Sequence, residues 1–286
     1  MTRRDAHLSR RGFLGGGLAA LGALAAARPI HAGALGAALA KAPFRLGLQS
    51  YSLRGYKEGG KPSFEKALGV ANGLGIRYLE VYPGHLPVTQ DSAAKKQVMD
   101  DLKGAGVEVV GYGVSHFKKG SPENRKVFEF AKAMGIEYIS ADPDPDSFDE
   151  LDKLVEEYGI GIGIHNHGPG HRYDLIDVIA KAIKDHNPRI GCCVDCGHFL
   201  RSKEDPVRAA EVFGKRIYGV HLKDVKDAKT FTILGQGDLN TPGLFKVLNA
   251  NGYTGLVALE YEENEQNPAD DIRVCLEEAQ KALDTL

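Results

Sequence analysis

The residues best suited to chemistry are histidines and carboxylates that stand at the ends of short apolar runs. Ten histidines occur in 286 residues, and seven of them lie at or soon after such runs. Imidazole nitrogens and carboxylate oxygens together suit a borderline divalent ion (manganese, zinc, cobalt or iron), whereas magnesium and calcium prefer oxygen ligands alone. The sequence therefore predicts one divalent-metal site. The seven histidines are His85, His116, His165, His167, His171, His198 and His221.

Four apolar runs in the second half of the chain supply the candidate metal ligands. His165, Asp195, His221 and Glu260 each stand at the end of one run. His167 is an alternative to His165, because residues two apart on a strand point to the same face and the spacing does not separate them. We favour His165. The competing interpretation is a solvated polar rim in which aspartates and histidines hydrogen-bond to one another.

A second group of polar side chains is placed to bind a substrate. Gln49 and Tyr51 end the first run, Glu80 ends the second and His116 follows the third. These four residues are predicted to hydrogen-bond to substrate hydroxyl groups. For Glu80, the alternative is an ion pair with a neighbouring cation.

Catalysis by proton transfer needs an acid or a base within reach of the substrate. Glu260, His198, His167 and Lys223 are the candidates. Lys223 follows His221 by two residues and so shares its face of the strand. A cation bound to His221 would lower the pKa of Lys223 by charge repulsion, which would make it a useful proton donor. The alternative is a lysine on the outer face of the strand.

These residues need a scaffold in which many strand ends meet at one rim. From residue 44 onward, apolar runs alternate with amphipathic stretches, and several of those stretches end in glycine, which stops a helix in the left-handed conformation. Eight such pairs in about 246 residues predict a single (β/α)8 barrel of the α/β class, with its active site at the carboxyl ends of the strands. An open doubly wound sheet is the rival, but no Gly-x-Gly-x-x-Gly turn follows the first strand.

The predicted strands are residues 44–49, 78–81, 107–111, 138–140, 160–165, 190–195, 217–221 and 256–260. The predicted helices are residues 63–74, 91–105, 122–134, 146–158, 173–185, 204–213, 241–250 and 268–285. The predicted helix caps are Ser63, Asp91, Ser121, Asp146, Asp174 and Thr241.

The first forty residues predict an export signal that is separate from the barrel. Two adjacent arginines precede an apolar, Gly/Ala-rich run, and an Ala-x-Ala site ends at Ala40. These features are typical of a twin-arginine signal peptide cleaved after Ala40 or, as second choice, after Ala32. Residues 1–40 are assigned to the signal and 41–286 to the barrel, and the mature protein is predicted to be periplasmic or extracellular. A membrane-anchoring N-terminal helix is the alternative.

Charge and cysteine content exclude several classes of partner. Removal of residues 1–40 lowers Lys+Arg from 36 to 31 and Asp+Glu from 38 to 37, which leaves a net charge of −6. An acidic chain without basic runs is a poor partner for nucleic acid, and no later segment is apolar for long enough to span a membrane. Cys193-x-x-Cys196 is interpreted as buried thiols, not as a redox pair. Homo-oligomerisation is left open.

These motifs resemble those of the xylose isomerase-like barrel superfamily, which includes sugar phosphate isomerases and epimerases, inosose dehydratases and family-2 AP endonucleases. The resemblance covers essentially all of residues 41–286. It implies that Asp195, His221 and Glu260 bind one divalent metal ion and that His198 contacts the substrate. It rests on Asp195-x-x-His198, His221-Leu222-Lys223-Asp224, Leu234-Gly235-Gln236-Gly237-Asp238 and Leu259-Glu260.

The sequence departs from the family at the fifth strand, where the family often reads Glu-Asn-His and this chain reads His165-Asn166-His167. With His165 as a ligand, the charge of the ligand set falls from −3 to −2, which should make the bound ion a stronger Lewis acid. The change also removes one of the two glutamates that exchange a proton in the epimerases.

The predicted function is a metal-dependent sugar or keto-sugar isomerase or epimerase that removes a proton α to a carbonyl through a metal-stabilised enediolate. The alternative is a 3-keto-glycoside lyase or inosose-type dehydratase that acts by β-elimination. A non-catalytic carbohydrate-binding barrel ranks lower. An AP endonuclease is disfavoured: His85 and His116 could imitate two of its zinc ligands, but His165 replaces the bridging glutamate. The expected partner is a small carbohydrate.

Overall fold

Alternating apolar runs and helices close into a parallel β-barrel in the computed structural model, which describes residues 42–286. The predicted export signal, residues 1–40, lies outside the described residues. Eight strands form the barrel in the order β1-β12-β9-β8-β7-β6-β5-β4, so that each strand pairs with its neighbours in the chain and the last pairs with the first. The predicted (β/α)8 barrel is confirmed.

The eight barrel strands fall close to their predicted positions. The main difference is β5, which continues beyond the predicted end at residue 111. The strands are β1 Arg45–Gln49, β4 Tyr78–Val81, β5 Glu108–Phe117, β6 Tyr138–Pro143, β7 Gly161–His165, β8 Ile190–Asp195, β9 Ile217–Leu222 and β12 Leu256–Leu259. Two hairpins lie outside the barrel: β2 Lys57–Glu58 with β3 Lys61–Pro62, and β10 Asp224–Lys226 with β11 Thr230–Thr232.

Helices cover the outside of the barrel, and all eight predicted helices are present in residues 42–286. A short additional helix, α6, begins directly after β8. No helix in this part of the chain is both long enough and apolar enough to cross a membrane. The helices are α1 Phe64–Gly73, α2 Ser92–Ala105, α3 Pro122–Ala133, α4 Phe148–Tyr158, α5 Ile176–Ile183, α6 Cys196–Arg201, α7 Pro206–Phe213, α8 Thr241–Ala250 and α9 Ala269–Leu283.

Half of the predicted helix caps are correct. Ser63, Asp91 and Ser121 each accept a hydrogen bond from the first turn of their helix. The other three predictions are wrong because the N-cap of each helix lies one residue away from the predicted position. Ser147, Leu175 and Asn240 take those places, and the carboxylate of Asp174 accepts instead from the backbone N–H of Gly170.

Tyr138 on β6 fills the barrel interior beneath the strand ends. Its ring lies against Gly111 on β5 and Gly219 on β9, where an added Cβ would come within 2.5 Å and 2.6 Å of the ring. The two glycines therefore make room for the aromatic ring. The ring carries its hydroxyl up to the side chain of Glu80 on β4.

Asp224 at the start of β10 fixes the loop that leads to α8. Its carboxylate accepts four backbone N–H bonds, from Val225, Gly235, Gly237 and Leu239, over 2.8–3.0 Å. The Gly-Gln-Gly-Asp motif of the sequence thus forms a tight turn held by one carboxylate. This turn supports the β10–β11 hairpin beside the carboxyl ends of the strands.

Candidate metal centre

Four side chains from adjacent strands converge at the carboxyl end of the barrel. They are His165 at the end of β7, Asp195 at the end of β8, His221 on β9 and Glu260 after β12, and all four are buried. One nitrogen or oxygen atom from each lies within 4.8 Å of the others. His165 Nε2 is 3.0 Å from His221 Nδ1 and 3.3 Å from Asp195 Oδ2, and Glu260 Oε2 is 3.3 Å from His221 Nδ1.

The geometry of this cluster fits a metal ion. Asp195 Oδ2 and Glu260 Oε2 are buried carboxylate oxygens that make no well-aligned hydrogen bond, although the Lys223 ammonium lies 3.1 Å and 2.7 Å from them; this is unusual for carboxylates in a protein interior. Ligands bonded to one zinc ion at about 2.0–2.1 Å lie roughly 3.3 Å from one another. The contacts of 3.0–3.3 Å within the cluster match that spacing. Two imidazoles and two carboxylates form a donor set for zinc, manganese, cobalt or iron.

The ring of His221 is oriented from beneath by Glu80. A carboxylate can only accept, so the Nε2–H of His221 donates to Glu80 Oε2 over 2.9 Å. This bond leaves Nδ1 to face the cluster as a possible ligand atom. A carboxylate behind a ligating histidine is the usual arrangement in protein metal sites, where it fixes the ring and its tautomer.

Glu80 does not fit the predicted contact with substrate. It has no exposed surface and accepts hydrogen bonds from Gln49, Tyr138, Ser140 and His221. Burial alone would raise the pKa of Glu80, but the charge of His221 and the donated hydrogen bonds outweigh burial and lower it. The structure therefore gives Glu80 a positioning role behind His221. This role is close to the alternative given in the sequence analysis, in which Glu80 pairs with a neighbouring cation.

The alternation of side chains along a strand does not show whether His165 or His167 is the candidate metal ligand, but the structure does. β7 ends at His165, so His167 lies in the following loop and its direction is free of the strand pattern. Between them, Asn166 bonds to the backbone of Asp195 in both directions, at 2.8 Å and 2.9 Å, and fixes this turn against β8. His165 joins the four-residue cluster, whereas His167 lies beside Asp142 and His171.

A cavity of 270 Å³ opens above the cluster. His165 and Glu260 contribute to its floor, and the predicted residues Gln49, Tyr51, His167, His198 and Lys223 also line it, together with Tyr82, Glu262 and the 113–114 backbone. A second cavity, of 280 Å³, lies at the amino ends of the strands around Arg45 and Tyr253. Of the two, only the cavity above the cluster joins candidate metal ligands to proton-transfer groups.

Lys223 is buried among carboxylates on the wall of this cavity. Its Nζ lies 3.1 Å from Asp195 Oδ2 and 2.7 Å from Glu260 Oε2, and it also contacts Glu262. Burial would lower the pKa of Lys223, but the three carboxylates outweigh burial and raise it well above the ordinary value. This direction is opposite to the one expected from the sequence, since the expectation considered only repulsion by a cation.

Two further histidines on the cavity wall are neutral at physiological pH. Burial, reinforced by the neighbouring histidines, lowers the pKa of His167 to about 3. Burial also lowers the pKa of His198 to about 4. Nη1 of Arg201 donates to His198 Nδ1 over 3.2 Å, so the neutral ring of His198 carries its proton on Nε2. His198 is therefore a hydrogen-bond donor, whereas His167 Nδ1 is buried without a partner.

Phe231 and Arg201 belong to this site although the sequence did not indicate them. Phe231 on β11 lies 5.6 Å from the ring of His198, 5.0 Å from Lys223 Nζ and 5.3 Å from the guanidinium of Arg201. No motif marks an aromatic residue on an exposed hairpin as part of a site. Only the packing of β11 beside α6 shows that it is.

The remaining predicted substrate-binding residues differ in what they can offer. Tyr51 lines the cavity with its ring against Tyr82. Gln49 also lines it, but its amide already donates to Glu80 and accepts from the backbone of Tyr51. His116 lies outside the cavity lining, with 66% of its side chain exposed, so the predicted substrate contact does not fit. His85 is buried against Ser50, and neither His85 nor His116 belongs to a group of possible metal ligands among the described residues, which speaks against an AP endonuclease zinc site.

The fold and the site are typical of a family of barrel enzymes, and comparison with known proteins identifies that family. The profile of the xylose isomerase-like TIM barrel family matches residues 68–278. The chain therefore belongs to that family.

Inosose dehydratases are among its relatives. The enzyme from Clostridium beijerinckii is 30% identical over 139 residues, which cover 42% of this chain and 46% of the relative, so the chain spans about half of that protein. The enzyme from Mesomycoplasma hyopneumoniae is 24% identical over 276 residues and covers 80% of this chain and 89% of the relative. The crystal structure of the IOLI protein with a zinc atom has a TM-score of 0.67 at 16% identity, covering 84% of this chain and 97% of that one. That likeness shows the fold.

Proposed function

We propose that this protein is a metal-dependent lyase that acts on a cyclic keto-sugar or keto-cyclitol by β-elimination. The supporting observation is a single cavity with the cluster of His165, Asp195, His221 and Glu260 at its floor and Lys223 on its wall. A divalent cation held by the cluster would supply Lewis acidity toward a substrate carbonyl. The similarity to inosose dehydratases also supports a lyase.

The side chains on the cavity wall provide the two kinds of proton transfer that β-elimination needs. One group must accept a proton from the carbon next to the carbonyl, and another must give a proton to the departing oxygen. In our proposal His167, which burial keeps neutral, accepts the proton, and Lys223, which the surrounding carboxylates keep protonated, donates. The C–H electron pair becomes the new C=C bond as the C–O bond breaks. The step is balanced without an oxidant or reductant.

Elimination fits this ligand set better than the isomerisation or epimerisation that the sequence placed first. Epimerases of the family exchange a proton between two glutamates, and His165 occupies the place of one of them. The remaining carboxylate, Glu260, is bonded to Lys223 and is buried beside His221. Glu260 and Glu262, the two glutamates that line the cavity, both contact Lys223, so neither is a free carboxylate base.

The proposed function is tested by product analysis with defined metal content. The protein is stripped with a chelator, reloaded separately with manganese, zinc, cobalt or iron, and incubated in heavy water with an inosose, a 3-keto-glycoside and a ketohexose. A lyase releases water or the aglycone and forms an unsaturated ketone with ultraviolet absorbance. A rearranged sugar that carries deuterium without elimination would support an epimerase instead. Metal binding without reaction on any of the three would support a carbohydrate-binding barrel.

A pair of lysine variants tests the role of Lys223. Lys223→Gln is expected to lower turnover by about 10²–10⁴-fold, the usual contribution of a general acid. Lys226→Gln, three residues further along the chain and exposed at the end of β10, serves as the matched control and should keep full turnover. Metal content is measured in the same samples. If Lys223→Gln keeps both its metal and its turnover, the assignment is wrong.

A further inference from the structure

We propose a second divalent-cation site beside the first, formed by Asp142 at the end of β6 and by His167 and His171 in the loop after β7. One ligand atom from each of these three residues lies within 4.8 Å of the others. Two imidazoles and one carboxylate form a set of three ligands that suits zinc. In catalytic sites zinc binds three protein ligands and leaves a fourth position free. The site is distinct from the cluster of His165, Asp195, His221 and Glu260.

Asp142 is the centre of this arrangement. Its side chain is only 3% exposed, and its Oδ1 oxygen is buried without a hydrogen-bond partner. His171 Nε2 lies 3.4 Å from Asp142 Oδ2, close to the roughly 3.3 Å that separates two ligands of one tetrahedral zinc ion. A buried carboxylate oxygen without a donor costs free energy unless a cation or water satisfies it.

His167 and His171 approach this carboxylate together. Their ring centroids are 4.3 Å apart, and His167 Nδ1 is a second buried atom without a partner. The sequence placed His171 on the rim without giving it a role. Two imidazoles that converge on one carboxylate, with unpartnered atoms on both sides, form a chelating group in the part of the chain that the structure describes.

Three neighbouring groups contact Asp142 or His171, but they compete only weakly with a cation for these ligands. Arg172 Nε is 3.5 Å from Asp142 Oδ1, and the backbone N–H of Tyr173 is 3.4 Å from His171 Nδ1, both beyond the usual hydrogen-bond range of about 2.7–3.2 Å. The strong bond of Arg172 goes to Asp144, at 2.6 Å. His116 Nδ1 lies 3.4 Å from Asp142 Oδ2 but also 3.1 Å from the carbonyl oxygen of Asp142. We therefore leave His116 out of the ligand set.

Occupation of this site has a consequence that rests on the proposed function. His167 lines the cavity, where we propose that it accepts the substrate proton. A cation bound to His167 takes up a nitrogen lone pair that is needed for that role. Zinc in excess of the first equivalent should therefore inhibit turnover, whereas the first equivalent supports it.

The test is binding stoichiometry, which is independent of activity. Chelator-stripped protein is dialysed against zinc ion and analysed for bound metal, and the wild type is expected to hold two equivalents. His171→Gln, which changes a partly exposed residue, and Asp142→Asn should each retain one. Their affinity for the second equivalent should fall by more than about 100-fold, since loss of an outer partner alone costs 10–100-fold. His221→Gln should lose the other equivalent, and the double variant Asp142→Asn/His221→Gln should lose both.

Two controls exclude other positions for the second ion. His186→Gln disrupts a separate group formed with Asp149 and Asp152, and His116→Gln removes the neighbouring imidazole. Both should retain two equivalents. The proposal is overturned if the wild type holds one equivalent, if His171→Gln still holds two, or if the second equivalent disappears with His186→Gln. A failure of the proposed lyase activity would leave this stoichiometry unchanged.

Discussion

Glu80 illustrates how a fully buried residue can determine the properties of a site. Four donors converge on its carboxylate, and one of them is the Nε2–H of His221. The donors come from β1, β6 and β9, so Glu80 links three strands through the barrel interior. The orientation of His221 therefore depends on side chains well below the cavity.

Substitution of Glu80 should act on the metal, not on the substrate. Glu80→Gln is expected to weaken zinc binding by about 10–100-fold, because the amide no longer fixes the tautomer of His221. Tyr138→Phe, which removes one donor to Glu80 and keeps the ring, should have a smaller effect in the same direction. The measurement is the zinc dissociation constant from competition with a chelator.

Glu263→Gln, an exposed neighbour of the site, provides the control and should bind zinc as the wild type does. Circular dichroism establishes that each variant is folded. Unchanged zinc affinity in Glu80→Gln, together with a raised KM for substrate, would contradict the positioning role and restore the substrate contact predicted from sequence.

At the residue scale the sequence predicted the identity of the cluster better than its surroundings. His165, Asp195, His221 and Glu260 could be found because residue type and strand-end position are both written in the sequence. The direction of the pKa shift of Lys223 could not, because it depends on three carboxylates that the fold brings to it. Phe231 was missed for the same reason, since its role arises from packing alone.

At the element scale, the close approach of strands near the bottom of the barrel depends on glycine. Gly47 on β1 stands where an added Cβ would lie 2.2 Å from the carbonyl oxygen of Tyr78 on β4. A backbone oxygen in a paired strand has little freedom to move away. The absence of a side chain at Gly47 is thus a requirement of strand pairing.

Two glycine-to-alanine substitutions of opposite expected sign test this requirement. Gly47→Ala should lower the free energy of unfolding by about 1–3 kcal/mol or more through overpacking. Gly69→Ala, in the middle of α1 with nothing within 4 Å of the added Cβ, should raise it by about 0.5–1 kcal/mol. Urea denaturation of both variants measures the difference. An unaltered stability in Gly47→Ala would mean that β1 and β4 can separate without cost.

The elements that the sequence predicted were those with a regular pattern. Eight strands and eight helices followed from apolar periodicity and from glycines at helix ends. The short helix α6 and the hairpins β2–β3 and β10–β11 were missed, since elements of two to six residues are too short to show a period. Two of these elements support the site: α6 carries His198 of the cavity wall, and Phe231 of the hairpin β10–β11 packs against His198 and Lys223.

For the whole molecule, His85 links stability to pH. It is 5% exposed and lies against Ser50 and Tyr82, which follow β1 and β4, and burial lowers its pKa from 6.5 to about 4. Between those pH values the unfolded chain binds a proton that the folded chain does not. The contribution of His85 to the free energy of unfolding is therefore full above pH 6.5 and is lost as the pH drops toward 4.

Replacement of His85 should make the stability less sensitive to acid. In His85→Gln the loss of unfolding free energy between pH 6.5 and 4 is expected to be smaller by about 2–3 kcal/mol, from the 1.36 kcal/mol that corresponds to each pKa unit. Urea denaturation at a series of pH values, with chelator present in both proteins, provides the measurement. A steeper loss of unfolding free energy at acid pH in the variant would contradict the assigned direction of the pKa shift of His85.

Export through residues 1–40 stays a prediction.

The carboxylate of Asp224 ties four backbone N–H groups into one unit with the hairpin that carries Phe231. None of these bonds can be released alone without leaving the carboxylate partly unpaired in a buried position. The hairpin and the 233–240 turn should therefore shift together or not at all. Because Phe231 of this hairpin packs against His198 and Lys223, a shift of the unit would change the support behind two side chains of the cavity wall.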